Sequence, residues 1–339
     1  RVLGAVFFAT CFATTLQAQT GPTSGPLRIH PTNPRYFADA TGRPVYLTGS
    51  HVWHNLQDGN SITFNFSAYL DKLQSNNHNF IRLWTAESPQ ADVALMPAPG
   101  FTGTTPWYQK ATPLPYARTG PGIAADGSPK FNLAQFDQGY FDRLRARVIA
   151  ARDRGIYVSI MLFNFRDVWN ANTLTPGRNV WRYHPYNTGN NVNGINGDSN
   201  GNGNGEETHT LQLAAVTQLQ DAYVRKVVDT VNDLNNVIFE ISNADQPGDP
   251  AWQSHMAALI RTYEAGKTSQ HAVGMTGAQG SGNTALLNSP ADWLSFAAGA
   301  LDNAGDPFIS SPPATDGTKI SILDTDHLGY ALFQNNSSA

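Results

Sequence analysis

Short clusters of carboxylate, imidazole, amide and indole side chains recur along this sequence of 339 residues. Amides and carboxylates hydrogen-bond neighbouring hydroxyl groups, and indole rings present a broad apolar face to a flat ligand. No glycine loop of the kind that cradles phosphates accompanies them, so the residue types favour a neutral, hydroxyl-rich ligand such as a sugar. The clusters are His51, Trp53, His54 and Asn55; Arg82, Trp84 and Glu87; Asn164, Arg166, Asp167 and Trp169; Asn243, Ala244 and Asp245; and Asp324, Asp326 and His327.

The segments between these clusters alternate short apolar runs with amphipathic stretches, which predicts strands separated by helices. Predicted strands cover 45–50, 80–85, 156–163, 237–242, 271–276, 293–296 and 319–323, and the main predicted helices cover 67–75, 136–155, 211–234 and 250–265. Residues 27–30 and 36–39 predict a small hairpin, and 86–130 and 164–207 predict long loops. Each cluster follows a predicted strand, so we expect the clusters to meet at the carboxyl ends of the strands.

This alternation predicts the α/β class and, within it, a (β/α)8 TIM barrel. Only seven of the eight strands can be assigned, so the last strand and helix are expected to be missing, very short or replaced. A doubly wound open sheet is the alternative fold. We expect one barrel domain over residues 20–339, with its functional site at the carboxyl ends of the strands.

Composition and charge restrict the partners of the protein. A net charge of −4, with 14% charged residues, argues against nucleic acid, which requires a basic surface, and against an anionic membrane surface. Residues 1–19 begin with Arg1 and an apolar run too short to span a bilayer, which predicts an export signal. We therefore expect a secreted or periplasmic protein. Its one cysteine, Cys11, lies in that signal, so no thiol chemistry is expected after cleavage.

One stretch raises the question of a bound metal. Residues 198–203 (Asp-Ser-Asn-Gly-Asn-Gly) match the first half of a calcium loop, but the twelfth position holds His209 where such loops carry Glu. Glu206 and Glu207 are candidate substitutes. A zinc site built from His51, His54, Asp326 and His327 would lack a close histidine pair on one helix. We therefore predict no metal and no cofactor, favour a flexible loop on the substrate side, and keep calcium as the open alternative.

Several motifs resemble one group of known proteins. Residues 236–243 (Asn-Val-Ile-Phe-Glu-Ile-Ser-Asn) resemble the fourth strand of clan A glycoside hydrolases, and residues 79–84 resemble the second strand of that clan, with Arg82 as its arginine. A closer resemblance is to secreted, cellulase-like barrel proteins related to the apiosidase-like (DUF4038) group, carried by residues 46–51, 115–122, 140–144 and 324–328. The resemblance spans about residues 27–328 and implies a barrel that acts on sugars.

The resemblance also implies a mechanism with two carboxylates at the ends of strands four and seven, about 5–5.5 Å apart in a retaining enzyme. It implies Asp324 as the nucleophile, with Asp326 and His327 orienting it or contacting hydroxyls, and with Arg82 lowering its pKa. Asn243 would bind the hydroxyl beside the anomeric carbon. Trp84, Trp107 and Trp169 are the implied stacking platforms, and His51, His54 and Asn164 are further substrate contacts.

The position of the acid/base, directly after Asn243, holds Ala244, whose methyl group has no proton to donate. Three explanations are open: an engineered replacement of Glu, a natural enzyme whose acid is displaced to Asp245 or Glu87, and a natural pseudoenzyme. Asp245 is a doubtful substitute because successive strand residues face opposite sides of a sheet. The sequence thus predicts a secreted glycosidase, with a non-catalytic glycan-binding barrel as the alternative.

Overall fold

The computed structural model describes residues 23–50, 52, 55–59, 64–90, 111–168, 180–243, 249–277, 284–296 and 317–322. In chain order the strands are β1 (Arg28–Ile29), β2 (Phe37–Ala38), β3 (Pro44–Val45), β4 (Asp58–Gly59), β5 (Phe80–Leu83), β6 (Ala111–Thr112), β7 (Tyr116–Ile123), β8 (Pro129–Phe136), β9 (Tyr157–Asn164), β10 (Val237–Asn243), β11 (Val273–Thr276), β12 (Trp293–Ser295) and β13 (Ile320–Ser321). The helices are α1 (Phe66–Ser75), α2 (Gln138–Arg152), α3 (Ala214–Val231), α4 (Pro250–Glu264) and α5 (Thr284–Leu287), and 3₁₀ turns cover Phe165–Asp167, Trp181–Tyr183 and Glu206–His209.

Six parallel strands form the central sheet, in the order β13-β12-β11-β10-β9-β5. This order follows the chain without reversal, as strands do around a barrel, whereas a doubly wound sheet reverses its order at a switch point. The predicted α/β class is therefore confirmed as a parallel sheet of the barrel kind. Every residue of β9 and β10 is buried, because one face of the sheet packs on helices and the other faces the interior.

Helices α2, α3 and α4 cover the outer face of the sheet. One buried apolar cluster joins Leu144 and Val148 of α2, Val227 of α3 and Ile260 of α4 to Phe239 of β10. Full burial of each such side chain contributes about 1.5–3 kcal/mol, so this layer of side chains is the main force that holds the helices on the sheet. None of the helices in the described ranges has the length and apolar character needed to cross a bilayer.

A small antiparallel sheet, β1-β2-β3, closes the amino-terminal end of the parallel strands. Its side chains Phe37 and Val45 pack in one cluster with Phe80 and Tyr157, the first residues of β5 and β9. The predicted hairpin at 27–39 is thus confirmed by the β1–β2 pairing. This sheet plugs the end of the barrel opposite to the expected functional site.

The first predicted barrel strand, 45–50, differs from the structure. Val45 pairs antiparallel with Phe37 in the small sheet, and within the described residues the backbone of the predicted strand pairs with the parallel sheet only at a bridge between Gly49 and Phe80. The two backbones approach so closely that a Cβ on Gly49 would lie 1.7 Å from the carbonyl oxygen of Phe80. The prediction is therefore confirmed only in part: the end of the segment lies parallel to β5, whereas its start joins the small sheet, and a local apolar run cannot show where that change occurs.

The predicted loop 86–130 contains ordered structure that the sequence reading missed. Strands β7 and β8 form an antiparallel hairpin, and its inward side chains Tyr116 and Phe131 pack on Phe165 and Trp181. Glycines and prolines inside β7 mask the alternation that predicts a strand. The hairpin lies against the segment that follows β9, so it borders the carboxyl end of the sheet.

Candidate functional site

A buried carboxylate stands at the centre of the parallel strands. Glu240, in the middle of β10, is 1% exposed, and Arg82 of β5 donates to it twice, from Nε to Oε2 at 2.9 Å and from Nη2 to Oε1 at 2.5 Å. Glu240 also accepts from the hydroxyls of Ser159 (3.2 Å) and Thr276 (3.0 Å). Four strands therefore converge on one carboxylate, and the ion pair fixes the position of the Arg82 guanidinium.

Sequence reasoning did not select Glu240 as a site residue. The available signal was a single acidic residue in the otherwise apolar run Val237–Ile241. Acidic residues are rarely fully buried without a partner, so the position itself indicated a buried pair. The partner, Arg82, lies 158 residues away along the chain, and no local pattern identifies it.

The Arg82 side chain of this pair also contacts two other predicted site residues, Asn243 and Trp84. Arg82 Nη2 donates to Asn243 Oδ1 at 3.1 Å, and the Arg82 guanidinium carbon lies 4.8 Å from the centre of the Trp84 ring. Because a guanidinium has only donors, the atom of Asn243 that faces it must be the oxygen. Asn243 therefore keeps its Nδ2 group as a donor. Trp84 is 5% exposed, so its ring packs on Arg82 in this structure.

A fourth predicted residue, Asn164, lies beside Asn243. The two residues are paired in register at the carboxyl ends of β9 and β10. Asn164 is 1% exposed, and its Oδ1 atom accepts no hydrogen bond from the residues that the structure describes. Buried polar atoms are usually hydrogen-bonded to protein, ligand or water. The Asn164 oxygen is therefore available to accept a hydrogen bond from a ligand at this edge of the sheet.

Glu87 forms a second polar cluster next to Asn164. Its Oε1 atom accepts from the Asn164 backbone N–H at 2.5 Å and lies 3.3 Å from His209 Nε2, while His184 Nε2 lies 3.6 Å from its Oε2. Burial alone would raise the pKa of Glu87, but the charge of His209 and the contacts with His184 lower it to about 2. Glu87 is thus a carboxylate near neutral pH. A proton donor must be protonated there, so this geometry does not favour Glu87 as a displaced acid.

A cavity of about 520 Å³ opens beside this cluster. It lies between Phe165, which directly follows β9, and Asp249, which caps α4 by accepting from the Ala251 backbone N–H. Both flanking segments leave the carboxyl side of the parallel strands, where α/β barrels bind ligands. The cavity is lined by Phe165, Ser199, Asn200, Glu206, Glu207, His209, Thr210, Gln212, Asp249 and Pro250.

The remaining predicted site residues lie outside the residues that the structure describes. They are His51, Trp53, His54, Trp107, Trp169, Ala244, Asp245, Asp324, Asp326 and His327. Their roles stay predictions, as does the influence of Arg82 on Asp324. In the described ranges, no group of three or more His, Cys, Asp or Glu side chains is placed to hold a metal ion.

Solved structures of glycoside hydrolases share this fold. A glycoside hydrolase solved from Bacteroides vulgatus ATCC 8482 and described as putative superposes with a TM-score of 0.52 at 13% identity, over 80% of this chain and 42% of that one. A glycoside hydrolase family 5 protein from the same organism superposes with a TM-score of 0.50 at 15% identity, over 90% of this chain and 54% of that one. The chain thus spans about half the length of these structures, and at such identities the likeness concerns the fold.

No curated protein matches the sequence. A family model described as a domain of unknown function, DUF6298, matches residues 102–292, which is more than half of the 339 residues. The matched range contains the hairpin β7–β8, the strands β9 to β11 and the loop that lines the cavity. The resemblance to the apiosidase-like group stays a prediction, and the chain belongs to the DUF6298 family.

Proposed function

We propose that this protein is a glycoside hydrolase-type barrel that binds an oligosaccharide or polysaccharide at the carboxyl ends of its parallel strands. The observation that carries the proposal is the contact between Arg82 and Asn243, which joins the two strand motifs that resemble clan A glycoside hydrolases. The fold shared with two solved glycoside hydrolases supports it. A full (β/α)8 barrel and export through the signal at 1–19 are parts of the same proposal.

The described residues supply an ordered chain of contacts for this purpose. Glu240 holds Arg82, Arg82 holds the Asn243 oxygen, and the Nδ2 group of Asn243 is left to donate to a sugar hydroxyl. The neighbouring Asn164 oxygen is able to accept from a second hydroxyl. Two amides that act on adjacent hydroxyls fix the orientation of a sugar ring, which is the positioning that hydrolysis requires.

In the proposed reaction, Asp324 attacks the anomeric carbon while an acid protonates the leaving oxygen and the sugar–oxygen bond breaks, and water then releases the sugar from Asp324. Asp326 and His327 assist Asp324, and His51, His54, Trp107 and Trp169 complete the sugar site. The acid belongs at position 244, where Ala244 has no transferable proton. Asp245 is the remaining acidic neighbour. Without a donor, the chain binds the glycan and cleaves it slowly or not at all.

Restoring the acid tests this proposal. We expect the Ala244→Glu variant to release products from aryl glycosides or plant polysaccharides at a rate far above that of the parent chain, because general-acid catalysis contributes about 10²–10⁴-fold. An Ala244→Gln variant is the matched control, since it has the same shape without a transferable proton. If Glu and Gln variants are equally inactive on every substrate while both bind glycan, the protein is a glycan-binding barrel.

A further inference from the structure

The loop from Asp198 to Glu207, part of which lines the cavity beside the proposed sugar site, carries a second feature that does not require a bound sugar. Side-chain oxygens stand at alternate positions, on Asp198, Asn200 and Asn202. Gly203 occupies the sixth position with φ of +84°, a conformation that favours glycine. Calcium loops place ligands at their first, third and fifth positions and a glycine at the sixth for the sharp turn.

The side-chain oxygens of Asp198 and Asn200 bind the backbone of the loop. Asp198 Oδ1 accepts from the backbone N–H groups of Gly201 (2.8 Å) and Asn202 (3.1 Å), and Asp198 Oδ2 accepts from that of Gly203 at 2.9 Å. Asn200 Oδ1 accepts in turn from the Asn202 backbone N–H at 2.8 Å. The backbone of residues 201–203 thus turns around the side chains of Asp198 and Asn200.

Glu207 provides the independent observation that points to a cation. It is 5% exposed, and its Oε1 atom faces the loop, where it accepts from the Asn200 backbone N–H (3.0 Å) and from Ser199 Oγ (3.3 Å). Its Oε2 atom is buried and accepts no hydrogen bond from the described part of the chain. A buried carboxylate oxygen without a partner is costly, and Glu207 has no ion pair with any described Lys, Arg or His.

We propose that this loop binds a calcium ion through the side-chain oxygens of Asp198, Asn200 and Asn202 and the carboxylate of Glu207. The closing carboxylate then stands at the tenth position of the loop, in place of the twelfth, which holds His209. All the ligands are oxygens, and only two are acids, so the set suits a hard cation that accepts amide oxygens. It does not suit a structural zinc ion, whose sites are built from Cys and His side chains.

The surroundings of the loop offer a direct probe. Trp181 packs against Gly197, which precedes the loop, and against Gly205 within it, where an added Cβ would lie 2.2 Å from the indole ring. An indole this close to a bound lanthanide sensitises its luminescence, and terbium replaces calcium at oxygen sites. Binding is therefore measurable without any enzymatic assay, and the result does not depend on the proposed glycosidase activity.

The experiment uses the full chain, stripped with a chelator and then desalted. We expect terbium luminescence excited through the indole, its displacement by calcium at lower concentrations than by magnesium, and a higher melting temperature in calcium. Glu207→Gln should weaken calcium binding by about tenfold or more. Asp71→Asn, which changes an exposed acid of α1, is the matched control and should bind as the parent does.

A variant that binds calcium more tightly is a second test, because misfolding can weaken binding but does not strengthen it. Asn202→Asp adds a negative charge to the ligand set and should tighten calcium binding several-fold, since ligand charge tunes the affinity of calcium loops. The proposal is overturned if the stripped protein shows no calcium-dependent signal. It is also overturned if Glu207→Gln binds calcium as tightly as the parent chain, or if Asn202→Asp leaves the affinity unchanged.

Discussion

At the scale of single residues, the main polar feature of the described interior is the buried ion pair between Arg82 and Glu240. Both residues are at least nine-tenths buried, and the carboxylate accepts two hydroxyl donors besides the guanidinium. Transfer of two charges from water is expensive, so such a pair adds little net stability. Its effect is to place one charged group, and through it Asn243, in a fixed position.

Loss of one partner should be costly even though the pair itself adds little. Glu240→Leu leaves the Arg82 charge buried and uncompensated, which should lower the free energy of unfolding by about 3–5 kcal/mol. Denaturant unfolding followed by circular dichroism measures the change. Asp233→Asn removes the partner of Arg145 in an exposed pair and should cost about 0–1 kcal/mol. Equal losses of unfolding free energy in the two variants would contradict a buried ion pair between Glu240 and Arg82.

Glu87 should make the fold sensitive to acid. Its pKa is lowered from 4.5 in a model peptide to about 2 in the fold, so the stability that it contributes is complete above pH 4.5 and is lost as the pH falls towards 2. The expected loss is roughly 3 kcal/mol.

The measurement compares unfolding free energies from pH 6 to pH 2 in the parent and in Glu87→Gln. The glutamine variant should be less stable at pH 6 and should show a shallower decline, because it has no carboxylate to protonate. Parallel curves would contradict the assignment of the acid sensitivity to Glu87.

At the scale of elements, the close approach of the segment at Gly49 to β5 holds the first part of the chain on the barrel. Gly49→Ala would drive a methyl group into the Phe80 carbonyl, and we expect a loss of about 1–3 kcal/mol, the usual cost of overpacking. Gly266→Ala is the control, since no atom lies within 4 Å of its added Cβ. Thermal unfolding of both variants checks this, and an unchanged Gly49→Ala would refute the contact.

Elements that carry their own signal could be predicted from the sequence. The apolar runs of β9 and β10 and the amphipathic pattern of α2 determine local structure without reference to distant partners. The strand at 45–50 was predicted only in part, because Val45 joins the small sheet while Gly49 lies parallel to Phe80. The hairpin β7–β8 was missed because its stability comes from packing on Phe165 and Trp181. Arg82 and Asn243 were each predicted as residues of the sugar site through motif resemblance, but their contact and the role of Glu240 required the three-dimensional structure.

At the scale of the whole molecule, the two ends of the parallel sheet differ: one is closed by packing, and the other carries the polar groups. The small sheet β1-β2-β3 closes its amino-terminal end. At the other end lie the segments that follow β5 and β9, together with Asn243 at the end of β10, and polar groups gather there. The calcium loop proposed above ends next to His209, which contacts Glu87. Metal binding there would hold one wall of the cavity in place beside the proposed sugar site.

The structure of the parent chain with a bound oligosaccharide tests the central claim most directly, because Ala244 is expected to slow cleavage. The proposal predicts a sugar ring at the carboxyl ends of β9 and β10, with hydroxyls within about 2.7–3.2 Å of Asn243 Nδ2 and Asn164 Oδ1. A saccharide bound away from these two amides, or no saccharide bound at any concentration that a glycan screen supports, would contradict it.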